Sequence, residues 1–265
     1  MTLAPLVARY DHILLDLDGC GWRGDVPTPG AVDAVAALRA AGKSVAFVTN
    51  DSQLLTEDYV RKLWRLGFQA SVEEVVTVGG ALQFVLAERF AGRAAVVIGS
   101  AALHRHVEAA GVRIVNGTAF ASRADVVVVA FHKQFHYDEL REATQAALRG
   151  AFLIGSNRDP TFPTEDGLWP GSGAVIAAVE TAAGRTVATV GKPEPTLVQT
   201  ALDRLGAGRA LMIGDRVDAD LGAAHAAGID GAIVLTGASD RATAEAASDP
   251  APVGIAERLE TMVLG

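Results

Sequence analysis

Cysteine is almost missing from this chain. Its 265 residues include one, Cys20, so no intramolecular disulfide can form and there is no Cys/His framework for a structural zinc. Aromatic residues are scarce at 6%, and charged residues make up 20% against 50% hydrophobic. That balance excludes intrinsic disorder and a disulfide-dense scaffold and describes an ordinary globular protein. A basic excess is also lacking. Twenty-three Lys and Arg against 31 Asp and Glu leave a formal charge of -8, which offers no field to draw the protein onto nucleic acid or an anionic membrane. A small molecule is the expected partner, with no nucleic acid and no membrane. The longest apolar runs, such as Val126 to Phe131, fall far below the roughly 18 residues that a membrane span needs. The opening Met-Thr-Leu-Ala-Pro-Leu-Val-Ala is uncharged and is interrupted by Arg9 and Asp11, so it does not read as a signal peptide. A reducing, cytoplasmic setting is the expectation.

What the chain does have is alternation. Short apolar runs alternate with amphipathic, Ala-rich stretches throughout, the pattern of βα units and a mostly parallel, doubly wound sheet, an α/β fold. His12 to Leu15 reads as a buried strand, Pro29-Gly30 opens a helix that Gly42 stops, and Ser44 to Val48 is the next strand. Late in the chain, Thr186 to Val190 leads into Gly191-Lys192-Pro193 and Ala210 to Ile213 leads into Gly214-Asp215, with a helix expected over Ala219 to Ala227. Between these groups lies a block with its own strands at Ala94 to Ile98, Val126 to Ala130 and Phe152 to Ile154. Helices at Ser100 to Ala110, Tyr137 to Leu148 and Ala174 to Ala183 separate them. That block can bury its own core, so the expected organisation is a Rossmann-like core over residues 1–79 and 187–265 interrupted by an α/β domain over 80–186.

The polar residues collect at strand ends. Asp16 and Asp18, two apart at the exit of a buried strand, can both face one side, although Asp16-Leu17-Asp18-Gly19 taken alone also reads as an Asp-Gly turn. Gly19 either turns the chain or lets backbone N–H groups approach an anion. Thr49 and Asn50 are neutral donors suited to phosphoryl oxygens, or a helix-capping pair. Lys192, Asp215 and Asp220 each have an ordinary surface reading. Their joint placement at carboxyl ends of separate βα units, where open α/β sheets bind ligands, is what argues for a site. Carboxylates gathered at one point cannot all stay ionised without a cation. An oxygen-only set of Asp16, Asp18, Asp215 and Asp220 favours Mg²⁺. With Lys192, Thr49 and Asn50 nearby, phosphoryl chemistry follows.

Four ordered segments then carry a resemblance: Ile13 to Gly19, Phe47 to Asn50, Gly191-Lys192-Pro193 and Gly214 to Asp220. Together they resemble the motifs of the haloacid dehalogenase superfamily. Trp22-Arg23-Gly24, Gly155 to Thr164 and Pro170 to Gly173 further resemble its NagD-like branch, also called the 4-nitrophenylphosphatase or phosphoglycolate phosphatase-like group. The resemblance implies a Mg²⁺-dependent phosphatase acting on small phosphorylated metabolites, with the inserted block as its cap. It makes Asp16 the nucleophile that forms an aspartyl-phosphate, and Asp18 the acid and then the base, its main-chain carbonyl helping to hold Mg²⁺. Asp16 and Asp215 supply the metal's carboxylates, Asp220 supports the site, and Lys192, Thr49 and Asn50 bind phosphoryl oxygens. In the cap, Asn157, Arg158 and Phe162 are the candidates for contacting the leaving group, while Arg158 can instead pair with Asp159 or Glu165. A homodimer is compatible with the branch. A receiver-like phospho-Asp switch and a silent phosphometabolite-binding protein are the alternatives. His132 and His136 lack the glutamate of a zinc-protease motif, and His104 and His106 are expected at the surface.

Overall fold

The computed structural model describes residues 2–164 and 167–264. The chain forms two compact units: Met1–Thr49, Thr56–Val76 and Lys192–Gly265 make the core unit, and Asn50–Leu55 with Thr77–Gly191 make the inserted one.

The core unit is built on a six-stranded sheet in the order Ile255–Ala256, Asp230–Val234, Ala210–Gly214, His12–Asp16, Ser44–Thr49 and Val75–Thr77. Every residue of His12–Asp16 and Ala210–Gly214 is buried, as expected of parallel strands covered on both faces, which read as continuous apolar runs. The first strand pairs in parallel with both neighbours: Leu15 faces Ile213 on one side and Phe47 on the other, and Asp16 faces Val48. From this strand the chain moves outward to one side through Ser44–Thr49, and on its return fills the other side from Ala210–Gly214 onward. The first strand therefore stands at the point where strand order reverses, and its carboxyl end opens the crevice that such sheets use for ligands.

The inserted unit has a five-stranded sheet of its own, in the order Ala188–Thr189, Phe152–Gly155, Val126–Val129, Ala94–Ile98 and Arg113–Ile114, with all pairs parallel. The four consecutive valines of its central strand are completely buried. Helices Tyr137–Leu148 and Ser172–Ala183 cover it, with Ala143, Ala146, Ile176 and Val179 packed among Val127, Val129 and Leu153. A β-hairpin, Thr161–Thr164 with Gly167–Pro170, projects from the loop before Ser172–Ala183.

Three expectations are corrected. The strand expected over Thr186 to Val190 is only Ala188–Thr189, and it pairs with Ile154 and Gly155 of the inserted sheet. A strand following helix Ser172–Ala183 completes a parallel crossover beside the strand that preceded that helix, and the compact core unit resumes at Lys192. The helix expected over Ala219 to Ala227 is a π-helical turn, Val217–Leu221, followed by a short helix, Gly222–Ala226. His106 is buried, its Nδ1 2.8 Å from Gln83 Oε1, because helix Ala101–Ala109 turns it inward. Among the described residues no helix is long and apolar enough to cross a membrane.

Leu14 is fully buried between Ala46 and Met212, so Leu14→Ala should destabilise the core unit by about 2–5 kcal/mol. Urea unfolding followed by circular dichroism measures this, and a loss below about 1 kcal/mol would contradict the central position of the strand.

Candidate active site

Strand register brings the acidic residues together. Asp16 ends the first strand, and Asp215 directly follows the neighbouring strand Ala210–Gly214. Asp220 is carried back toward them by the π-helical turn, a feature frequent at functional sites. One oxygen from each of Asp16, Asp215 and Asp220 lies within 4.8 Å of the others, and all three residues are buried. Lys192, only 2% exposed, enters the same cluster. Its Nζ donates to Asp16 Oδ1 and, at 2.6 Å, to Asp220 Oδ1. Burial alone would lower the Lys192 ammonium, but the charges of Asp16 and Asp220 outweigh it and hold the group protonated well above its ordinary value.

One ammonium does not balance three carboxylates. Burial pushes the Asp16 carboxyl well above its usual range; Lys192 opposes this, while Asp220 and Asp215 add to it. Asp215 is raised to about 7, chiefly by burial and then by Asp220. Its Oδ2 accepts a hydrogen bond from the Ala238 N–H, while Oδ1 is buried with no hydrogen-bond partner among the described residues. Asp220 differs, because Oδ1 takes Lys192 and Oδ2 takes the backbone N–H groups of Asp215 and Arg216 at 3.1 and 3.0 Å. Asp16 and Asp215 thus offer the oxygens that lack enough positive charge, and Asp220 braces the cluster. An orphaned buried carboxylate oxygen in an all-oxygen set fits Mg²⁺.

Thr49 is buried at the end of Ser44–Thr49, one residue beyond Val48, the register partner of Asp16. Asp18 is exposed, and Trp22 Nε1 donates to its Oδ1 at 2.7 Å. Gly19 has φ 95°, and a Cβ there would meet Asp215 Oδ2 at 2.6 Å, so glycine is required by both backbone and space. Its N–H donates to the Trp22 carbonyl at 2.7 Å. Gly19 thus closes the turn with this donor and makes room for Asp215.

Asn50, Asn157, Arg158 and Phe162 all belong to the inserted unit. Asn157 is buried, with Nδ2 donating to the Asn50 carbonyl at 2.7 Å and Oδ1 accepting the Asp159 N–H. The Asn50 side chain donates to Asp159 Oδ2 at 3.2 Å. Arg158 forks onto Glu180 at 2.8 and 3.3 Å and also reaches the Val187 carbonyl. Glu180 is thus one acidic partner of Arg158; the expected pairing with Glu165 falls on a residue outside the described ones. Asn157 and Arg158 both hold the unit's own loop, through the Asn50 carbonyl, Glu180 and the Val187 carbonyl. Phe162 stacks with Phe131, centroids 4.6 Å apart, and edges onto Trp169 at 6.4 Å.

Two contributors were not among the expected site residues. Trp22 is legible in the sequence as part of Trp22-Arg23-Gly24, one of the segments that carry the resemblance, with no role attached to it. The segment 236–239 supplies the Ala238 N–H to Asp215, the Ser239 N–H to the Asp215 carbonyl, and the Thr236 hydroxyl to the Gly19 carbonyl. Two of these donors are main-chain groups, and a Cβ on Gly237 would fall 1.8 Å from Asp215 Oδ2. The one legible clue is a glycine after a buried strand.

Fold and site together place a buried cluster of three carboxylates and a lysine, fitted to a hard divalent ion, at the switch point of a parallel α/β sheet. The comparisons agree. Residues 13–113 match the family model for haloacid dehalogenase-like hydrolases, and residues 189–262 match a HAD-hydrolase-like model. The D-glycerol 3-phosphate phosphatase of Mycobacterium tuberculosis is 37% identical over 256 residues, covering 95% of this chain and 71% of that protein. Human chronophin is 33% identical, covering 92% of this chain and 88% of its own. Among solved structures, the glycerol phosphate phosphatase of M. tuberculosis in complex with magnesium superposes with a TM-score of 0.88 at 36% identity, over 96% of this chain and 77% of that one. A 4-nitrophenylphosphatase from Thermotoga maritima gives 0.87 at 30% identity, over 97% of each chain. The chain belongs to the haloacid dehalogenase-like hydrolases, in their NagD-like branch. It is a phosphoric monoester hydrolase, and its cluster of Asp16, Asp215 and Asp220 could hold a metal ion such as the magnesium of the M. tuberculosis structure.

The raised carboxyl of Asp215 has a measurable consequence. A group whose folded value of about 7 exceeds its ordinary 3.8 contributes stability that is complete below the lower value and lost as pH rises through the upper one. Mg²⁺ favours the ionised form, so it should raise the thermal unfolding midpoint more at about pH 8 than at about pH 6, reversibly with EDTA, and Asp215→Asn should abolish the shift. Equal shifts at the two pH values would contradict this role of Asp215.

Proposed function

We propose that this protein hydrolyses small phosphomonoesters through an aspartyl-phosphate on Asp16, and that glycerol phosphate is the first substrate to test. The observation that carries the reading is the buried contact of Lys192 with Asp16 inside a cluster of three carboxylates. A carboxylate held by an ammonium at a strand end is fixed in place and short of positive charge, as a nucleophile awaiting a phosphoryl group must be. The glycerol phosphate assignment rests on the names of two relatives.

In this reading Asp16 attacks phosphorus, and Lys192 and the Thr49 hydroxyl neutralise the phosphoryl oxygens as charge builds on them. Asp18 protonates the departing alcohol oxygen, then takes a proton from the water that cleaves the acyl phosphate. Asp16, Asp215 and the main-chain carbonyl of Asp18 would hold Mg²⁺, which when bound would supply the positive charge that lets the carboxylates stay ionised beside a phosphate dianion. Asp220 orients Lys192 and the Asp215 backbone. The inserted unit is the counterpart of the family's cap, and Asn157, Arg158 and Phe162 are its candidates for recognising the leaving group.

Replacing the nucleophile provides the test. Asp16→Asn should lower phosphate release from 4-nitrophenyl phosphate by at least about a thousandfold, with an unchanged circular dichroism spectrum. In the unmodified protein, rapid acid quench with ³²P-labelled substrate should trap label that decays within the turnover time. Label persisting for minutes would instead mark a phospho-Asp switch, and an active Asp16→Asn protein would remove the nucleophile assignment.

A further inference from the structure

We infer that Trp22 is a positioning residue for Asp18, fixing one carboxylate oxygen so that the other faces the departing alcohol; this rests on the reading of Asp18 as the acid. Asp18 is exposed, so left to itself its side chain would sample several rotamers and trade hydrogen bonds with water. Trp22, in contrast, has no exposed surface. Its indole N–H donates to Asp18 Oδ1 at 2.7 Å, the one side-chain hydrogen bond Asp18 makes among the described residues. An indole is a donor only, so it can hold Oδ1 without ever accepting the catalytic proton. That leaves Oδ2 to carry it.

The tryptophan is itself anchored from three directions. Its N–H and C=O on the main chain pair with the Leu17 carbonyl and the Gly19 N–H at 3.0 and 2.7 Å, closing the turn that begins at Asp18. Trp22–Arg23 and Val26–Pro27 form a two-stranded ribbon whose loop carries Asp25. Helix Thr56–Arg65 grips that loop, with Arg65 Nη2 3.1 Å and Lys62 Nζ 3.6 Å from Asp25 Oδ1. Lys62 also stands over the indole, its Nζ 4.5 Å from the ring centroid. A cation over the π face draws electron density from the ring and makes the N–H a stronger donor, so the charge of Lys62 is felt at Asp18 without a direct ion pair. Lys62, Trp22 and Asp18 thus form one chain from the helix surface to the reacting group.

Protonation of the leaving group matters more as that group becomes more basic, which separates this role from a structural one. Phenyl phosphate and 4-nitrophenyl phosphate have nearly the same shape, but phenolate departs far less readily than nitrophenolate. Replacing Trp22 by 3-benzothienylalanine keeps the ring volume and removes only the N–H. This variant should lower kcat/KM for phenyl phosphate about tenfold more than for 4-nitrophenyl phosphate, with an unchanged unfolding midpoint. Trp22→Phe should follow the same pattern with some loss of stability, and Lys62→Met should show it more weakly. In an Asp18→Asn background the Trp22 replacements should cost nothing further, since the group they position is gone. Equal losses on both esters, or losses that add to those of Asp18→Asn, would overturn the inference. Asp18→Asn alone separates the two ideas: if it fails to discriminate between the esters, the reading of Asp18 as acid fails, whereas if it discriminates and the benzothienyl variant does not, only the role of Trp22 fails.

Discussion

The structure turns on a single buried ammonium. Lys192 lies between Asp16 and Asp220, bonded to both, in a place where a lysine or a carboxylate alone would be costly to ionise. Each charge is tolerated because the others are there, and none could move to the surface without stranding its partners. With Asp215 added, the cluster carries an excess of negative charge that Lys192 cannot cancel. That imbalance fits a divalent cation and a phosphoryl group better than it fits a structural ion pair, which would close on itself with all its oxygens satisfied. Asp215 Oδ1, without a hydrogen-bond partner among the described residues, marks the open place.

Everything that holds this cluster is backbone geometry of the core sheet. Parallel pairing of the first strand with Ser44–Thr49 and Ala210–Gly214 sets three strand ends side by side, and burial of both faces locks the register, since a one-residue slip would turn Leu14 and Ile213 away from their packing. The π-helical turn then returns Asp220 to the donors that Asp215 and Arg216 offer at the start of the next segment. Main-chain donors of 238 and 239 complete the cradle of Asp215. The site is assembled mostly from peptide groups that any residue could supply, with a handful of side chains set into them.

The inserted unit organises its own junctions in a similar way. The Asn157 amide and the Ser156 carbonyl tie down Asn50 and Gly191, the residues next in the chain to Thr49 and Lys192. Asn157 and Ser156 therefore brace the two peptides that adjoin Thr49 and Lys192. Arg158, engaged by Glu180, secures the same loop. Residue type alone cannot distinguish these roles, because an amide or guanidinium that binds a ligand and one that binds a carbonyl have the same chemistry.

The alternating pattern, read without coordinates, determined an α/β fold, an interrupted core, and the acidic and basic residues that would meet at strand ends. Strand composition and local turn chemistry are encoded within a few residues of each other, which is why His12–Asp16, Ala94–Ile98 and Tyr137–Leu148 agree with the reading to within a residue. What only the tertiary structure decided is which partner each short element chose. Ala188–Thr189 joined the inserted sheet, Gly19 gave its N–H to Trp22, His106 turned inward, and Trp22 reached Asp18. A two-residue strand or a single donor has no periodicity to read. Its partner is settled by whichever surface the rest of the chain brings within hydrogen-bonding distance.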